Sequence, residues 1–263
     1  MILRIPISPY TLRIMEPSIT TTALAEDPRA GLELASRLGF RRVTLSAAQP
    51  GLRPRDLDRS ARRGLQAELR RLELACDAID LFIPPEHFTQ ASTIDRALDA
   101  VSGAVQLASD LGAGGVFLRL PPEDPEEPML EATIELTRLA QGSPVRLLDV
   151  GLNGRALRTL EAGNATALGI GIDTAAWLAD HRDPLEGLVA HGALVGGLRL
   201  VDLDETGSRT PPERGGRLDL DSLQRALALE TSPRSVVLDA RGWAEPQTGA
   251  VQALTAWREA TTL

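Results

Sequence analysis

Val145-Arg146-Leu147-Leu148-Asp149, Leu168-Gly169-Ile170-Gly171-Ile172-Asp173, Leu198-Arg199-Leu200-Val201-Asp202 and Ser235-Val236-Val237-Leu238-Asp239 are strand-like runs that each close on an aspartate. Helical stretches separate them. If these strands run parallel, the carboxylates gather near the C-terminal edge of one sheet, where α/β folds place their sites.

The same alternation extends through the chain. Strand-like runs fall at 2–8, 41–47, 75–83, 115–120, 145–150, 168–173, 195–201 and 234–239. Between them the apolar residues recur at helical spacing, over 28–38, 54–73, 92–112, 127–141, 154–162, 183–192, 219–229 and 247–260. This strand and helix count implies a parallel sheet and favours a closed (β/α)8 barrel over an open doubly wound sheet. Pro and Gly are scattered without a linker or composition break, so residues 1–263 read as a single α/β domain, a TIM barrel. Gly112-Ala113-Gly114-Gly115 stands between a helix and a strand, as a helix stop. Gly169-Ile170-Gly171 lies inside a strand and lacks the turn of a dinucleotide fingerprint, so it reads as space cleared in a barrel lumen.

Composition excludes several chemistries. The 263 residues are 43% apolar, enough for a large core, and carry a net charge of −8. That charge gives no general attraction to nucleic acid or anionic membrane. No apolar run reaches the length of a spanning helix, and the opening Met1-Ile2-Leu3-Arg4-Ile5-Pro6 is too short for a signal peptide, so a cytoplasmic protein is expected. All 28 basic residues are arginine. Schiff-base and pyridoxal chemistry and the phosphate-loop lysine all need an ε-amine and are excluded. The one cysteine, Cys76, allows no internal disulfide and reads as a small buried thiol.

Short segments are spread along most of the chain: Ala35-Ser36-Arg37-Leu38-Gly39-Phe40 running into Arg42-Val43-Thr44-Leu45-Ser46, Ala108-Ser109-Asp110-Leu111-Gly112-Ala113, Ile172-Asp173-Thr174, Asp183-Pro184-Leu185 and Gly216-Arg217-Leu218-Asp219-Leu220. Together they resemble the xylose-isomerase-like barrels, a superfamily that includes sugar-phosphate isomerases and epimerases. The resemblance implies isomerisation or epimerisation of a small sugar or polyol, by proton transfer next to a carbonyl.

Metal-binding members of that family usually offer a glutamate on the fifth strand, an aspartate then a histidine after the sixth, a histidine on the seventh and a glutamate on the eighth. Here Asp149 stands on the fifth strand and Asp173 on the sixth, with Ala176 at the histidine position. Arg199 stands on the seventh strand and Asp239 on the eighth. An oxygen-only set of Asp149, Asp173 and Asp239 suits Mg²⁺ or Mn²⁺ and serves zinc poorly. Alternatively, a fixed guanidinium at Arg199 takes the place of a cation.

Strand alternation turns Leu198 and Leu200 toward the helices and Arg199 inward. On the sixth strand Gly169, Gly171 and Asp173 share a face, and on the eighth Val237, Asp239 and Arg241 do. Arg199 then either faces a ligand or forms a structural ion pair with Asp173 or Asp239. Asp173 is equally suited to cap a helix at Thr174–Leu178, and Asp202 falls out of phase with Arg199, as a loop or cap residue. His181 and His191 read as surface residues. His87, in Pro84-Pro85-Glu86-His87-Phe88, is either a general acid or base beside Glu86 at the rim or a plain loop histidine. Arg119 and the arginines of 205–217 complete the rim as candidates to close over an anion.

The resulting expectation assigns acid/base work to Asp239 and His87, and orientation or metal binding to Asp149 and Asp173. Arg199, Arg119 and Arg241, with Glu86, receive the ligand. The alternative is a non-catalytic barrel, without a metal, that binds a small metabolite or a partner protein. A DNA-repair activity on the same fold is disfavoured by the charge and by the missing histidines.

Overall fold

In a computed structural model the chain describes residues 15–120, 135–136, 138–139, 141–152, 168–229 and 235–260. Eight parallel strands close into a barrel: β1 (Ser18–Thr20), β2 (Arg42–Ser46), β3 (Ala75–Asp80), β4 (Gly115–Leu118), β5 (Arg146–Asp149), β6 (Leu168–Asp173), β7 (Val195–Leu200) and β10 (Ser235–Leu238). β1 pairs with both β2 and β10 and so completes the ring. The first barrel strand is therefore Ser18–Thr20. The run at 2–8, where a strand was expected, lies outside the described residues, as do the helix expected at 154–162 and most of that at 127–141. A three-residue strand such as Ser18–Thr20, with polar residues at both ends, has too little alternation to be read from sequence.

Helices α1 (Pro28–Arg37), α2 (Arg59–Arg71), α3 (Ile94–Leu111), α4 (Thr174–Ala179), α5 (Pro184–His191), α6 (Leu220–Leu229) and α7 (Pro246–Ala260) surround the strands. Their ends follow local chemistry. Asp27 and Asp58 cap α1 and α2 by accepting from the amides of Ala30 and Ala61, and Asp183 caps α5 through Leu185. Gly112 ends α3 at φ +73°, a left-handed conformation that suits glycine. No described helix is long and apolar enough to cross a membrane.

Two separate apolar groups reveal the strand phase. Val43, Leu45, Ile79, Leu81, Val116, Leu118, Leu147, Ile170, Ile172, Leu198, Leu200, Val236 and Leu238 pack in the layer shared with the helices. Ala78, Phe117, Leu148, Val150 and Val237 form a second cluster, inside the barrel. Below that cluster, toward the N-terminal ends of the strands, Asp77 is buried against the Arg42 guanidinium and the Ser18 hydroxyl, and Ser18 in turn bonds Thr44 across 2.9 Å. Burial pushes the Asp77 carboxyl upward, with Arg42 opposing. Cys76, beside it, is buried, and burial pushes its thiol far up, which removes it as a nucleophile.

Glycine makes room for the inner cluster. A β-carbon at Gly197 would stand 2.5 Å from Phe117 Cζ, and one at Gly171 would stand 2.7 Å from Val150 Cγ1. Phe117 is wholly buried and cannot swing aside. Gly197→Ala is thus expected to lower stability by about 1–3 kcal/mol in urea titration, the usual scale for overpacking a core. An unchanged midpoint would mean that the lumen is looser than this packing implies.

Candidate functional site

The C-terminal ends of the strands carry an alternating chain of guanidinium and carboxylate groups. Arg199, on β7, donates from Nη2 to Asp80 at the end of β3. Arg241, just past β10, donates from Nη1 to the other oxygen of Asp80. Arg241 also grips Asp239 in a two-pronged contact, Nε to Oδ1 and Nη2 to Oδ2, both at 2.7 Å. Arg209 Nη2 then donates to Asp239 Oδ2 at 2.9 Å, and Arg209 Nη1 stands 3.7 Å from Asp173 Oδ2. The order is Arg199, Asp80, Arg241, Asp239, Arg209, Asp173. In register, Asp173 and Arg199 are neighbours on β6 and β7, so the chain nearly closes on itself.

Each member arrives by a local rule. Asp80, Asp173 and Arg199 occupy the inward phase of their strands, and Asp239 extends the inward phase of β10 set by Val237. Arg209 comes from elsewhere. Strands β8 (Asp202–Leu203) and β9 (Arg209–Thr210) pair antiparallel in a hairpin whose turn is held by Asp204, which accepts from the amides of Thr206 and Ser208. That turn folds Arg209 back over the mouth, where its Nε donates to the Arg241 carbonyl at 3.1 Å. Thr20 joins from β1: its hydroxyl donates to Asp239 Oδ1 at 3.4 Å and accepts from the Ala240 amide.

Asp80, Asp173, Arg199, Arg209, Asp239 and Arg241 line a cavity of about 690 Å³ together with Leu118, Val150, Phe82, Ile83, Pro84, Pro85, Glu86 and Arg119. Arg199 is the deepest cation, with its guanidinium carbon 4.9 Å from the centre of the Phe117 ring. Burial and then the Arg241 charge draw Arg199 down to about 9, with Asp239 opposing, so it remains a cation at neutral pH. Burial works to raise Asp239, but the hydrogen bonds and charge of Arg241, with Arg199 and Arg209 behind them, outweigh it and hold this carboxyl below its ordinary range. Asp173 differs. Burial pushes it up; Arg209, the Ala176 amide and Arg241 oppose without cancelling the effect, and Asp239 adds to it. Two carboxylates of one site are thereby set apart.

The structure brings together Asp173, Arg199, Asp239 and Arg241, with Arg119 and Glu86 on the exposed rim of the same cavity. Asp149 is placed elsewhere. It shares the phase of Leu147, and its Oδ1 accepts from the amides of Leu120 at 3.0 Å and Gly151 at 2.9 Å, away from the cavity lining. His87 lies on a short 3-10 turn, Pro85–Phe88, half-buried and off the lining, while Thr93 donates to its carbonyl. Arg199 does form a buried ion pair, and its partner is Asp80 rather than Asp173 or Asp239. Asp173 also caps α4, accepting from the Ala176 amide at 3.2 Å. Asp202 fastens a loop by accepting from Leu218. In the 205–217 stretch, Arg209 turns inward, whereas Arg214 pairs with Asp221 and Arg217 reaches the Leu178 carbonyl.

Asp80 escaped the sequence reading although its signal was present. Ala78-Ile79-Asp80 is a further strand closing on an aspartate, two residues beyond the inward Ala78. Arg209 had no such signal, because its place depends on the hairpin.

The donor set does not fit a divalent cation. Both oxygens of Asp80 and of Asp239 already accept from guanidinium groups, Asp149 lies off the cavity, and no three His, Cys, Asp or Glu side chains among the described residues form a metal-holding group. Arg199 and Arg241 stand between the carboxylates, where a cation would have to sit.

No protein-family model and no curated protein matches the sequence. Solved structures do match its fold. A xylose isomerase domain protein from Alicyclobacillus acidocaldarius superposes with a TM-score of 0.72 at 21% identity, covering 94% of this chain and 98% of that one. D-Psicose 3-epimerase from Clostridium cellulolyticum H10, solved with D-tagatose, gives 0.76 at 14% identity, over 94% and 99%. A xylose isomerase-like TIM barrel protein from Mycobacterium smegmatis, in complex with magnesium, gives 0.71 at 16% identity, over 96% and 98%. The fold is that of the xylose-isomerase-like barrels.

The contrast between the two aspartates has a measurable consequence. Asp239, depressed in the folded state, contributes stability that is present above the ordinary carboxylate value of 3.8 and is lost as pH falls through its folded value. Asp173, raised in the folded state, contributes stability present below 3.8 and lost as pH rises through its folded value. At pH 7 Asp239→Asn is therefore expected to lose about 3–5 kcal/mol, because it leaves Arg241 and Arg209 short of a partner. Asp173→Asn keeps the cap on α4 and melts at or above the parent, with that advantage vanishing toward pH 3. Equal losses for both variants at pH 7 would contradict the distinction.

Proposed function

We propose that the barrel mouth binds a small sugar, polyol or sugar phosphate and moves a proton next to its carbonyl, as a sugar isomerase-like enzyme. The observation that carries this reading is Asp173. Among the described residues its Oδ2 has Arg209 as its ion-pair partner, at 3.7 Å, it lines the cavity, and burial raises its proton affinity, the direction a general base needs. In this reading the Asp173 carboxylate removes the proton from the carbon beside the carbonyl. The electron pair moves to the carbonyl oxygen, and the resulting enolate is met by Arg241 and Arg209, which are about a third exposed to the cavity. The protonated Asp173 then returns the proton to the former carbonyl carbon, while the hydroxyl on the carbon that lost its hydrogen gives its proton to the former carbonyl oxygen and becomes the new carbonyl.

A single mobile carboxyl supports transfer on one face of the substrate, that is, isomerisation. Epimerisation by two bases needs a second acid on the opposite face, and Asp239 is held ionised by its arginines while His87 lies off the cavity. No step depends on a metal, since the donor set does not suit one.

A second reading has its own support. Asp80, Asp239 and Asp173 each already face a guanidinium, and such a paired network also suits a non-catalytic barrel that binds a small metabolite or a partner protein.

Incubation of the purified protein with aldoses, ketoses and their phosphates in D₂O, followed by NMR, separates the two. The enzyme reading expects deuterium at the carbon next to the carbonyl, at a rate unchanged by EDTA and reduced about 10²–10⁴-fold in Asp173→Asn, the scale of a lost general base. Binding of these compounds without exchange would leave the non-catalytic reading in its place.

A further inference from the structure

Among the described residues the aromatic side chains are buried, with one exception. Phe40, Phe88 and Phe117 are fully enclosed, and Trp177, Trp243 and Trp257 nearly so, whereas Phe82 is 73% exposed and lines the mouth of the cavity. It follows Asp80 by two residues, on the same phase, so the strand end that carries it is pinned by the two arginines on Asp80. Leu81 and Ile83 on either side are buried anchors, and Pro84-Pro85 stiffens the chain beyond them. Single apolar residues on a surface need no explanation. A phenyl ring left open on the wall of a cavity that guanidinium groups also line is a different arrangement. The cavity lining combines apolar surface from Phe82, Ile83, Pro84 and Pro85 with the guanidinium groups of Arg119, Arg209 and Arg241.

We propose that Phe82 is a stacking platform for the ligand, and that the form captured is a closed ring: a ring-form sugar or a cyclic polyol. Such a ring offers C–H groups on its face, which cover the phenyl surface, and oxygens on its edge, which accept from the arginines. An open-chain polyol turns its hydroxyls to all sides and has no continuous C–H face to lay on Phe82. This inference rests on the small-sugar reading of the same cavity and narrows it to one ligand shape. A captured sugar opens afterwards, by transfer of its anomeric hydroxyl proton to the ring oxygen, before any proton moves beside its carbonyl.

The test uses methyl pyranosides, whose rings cannot open, and the matching open-chain alditols, titrated by NMR into the parent, Phe82→Ala and Phe82→Trp. The parent is expected to bind pyranosides about tenfold more tightly than alditols, with their ring protons shifted upfield by the aromatic face. Phe82→Ala removes that preference without changing the thermal melt, and Phe82→Trp retains it. Parity between the two ligand classes in the parent, or a preference that survives in Phe82→Ala, overturns the platform and leaves the small-sugar reading standing. Failure of the parent to bind any pyranoside, alditol, free sugar or sugar phosphate overturns both. A parent dimer that Phe82→Ala converts to monomer in sedimentation assigns the ring to a second copy of the chain and overturns the platform as well.

Discussion

Charge pairing across the open end of the barrel governs the arrangement of everything around it. Asp80, Asp173, Asp239 and Arg199 are buried, and an isolated charge in such a place costs several kcal/mol. The alternating order Arg199, Asp80, Arg241, Asp239, Arg209, Asp173 offsets that cost by giving nearly every charged atom an opposite neighbour. The two-pronged Arg241–Asp239 contact is the strongest geometry in the chain. Because its members sit on β3, β6, β7, β10 and the β8–β9 hairpin, the chain ties strands on opposite sides of the ring across its mouth. It also helps fix the hairpin, by drawing Arg209 onto Asp239 and the Arg241 carbonyl.

The same constraint shapes the chemistry available. Guanidinium groups fill the space between the carboxylates, so the cationic partner of any developing negative charge is built into the chain. A planar guanidinium cannot be lost to a chelator, is charged at neutral pH, and presents several donors at once. What the chain does not neutralise fully is Asp173, at its far end, with Arg209 at 3.7 Å and a backbone amide on its other oxygen. The end of a pairing chain is where a proton can most easily come and go.

Much of the barrel was legible because its strands are regular. Leu198, Arg199 and Leu200 state the phase of β7 outright, and the structure places the leucines in the helix layer and the arginine in the cavity. The same alternation, applied to β5, separates Asp149 from the mouth, since Leu148 and Val150 point inward and Asp149 lies between them. Reading Asp149 only as a strand end, without its phase, grouped it with Asp173 and Asp239. Asp80 was legible by the same rule and overlooked because its strand was read as running on to residue 83. Ser18–Thr20 and Arg209 were not legible. The first is too short to show a period, and the second reaches the site through a tertiary fold-back that leaves no local pattern.

A double-mutant cycle on Arg199 and Asp80 tests the dependence of the barrel mouth on this pairing most directly. Stability by urea titration at pH 7 would be measured for the parent, Arg199→Met, Asp80→Leu and the double variant. The account predicts a loss of about 3–5 kcal/mol in each single variant, from the charge left without its partner, and a double variant that recovers most of either loss. Single losses below about 0.5 kcal/mol that simply add in the double variant would show the two charges to be independent, and the paired mouth would not be what holds the site.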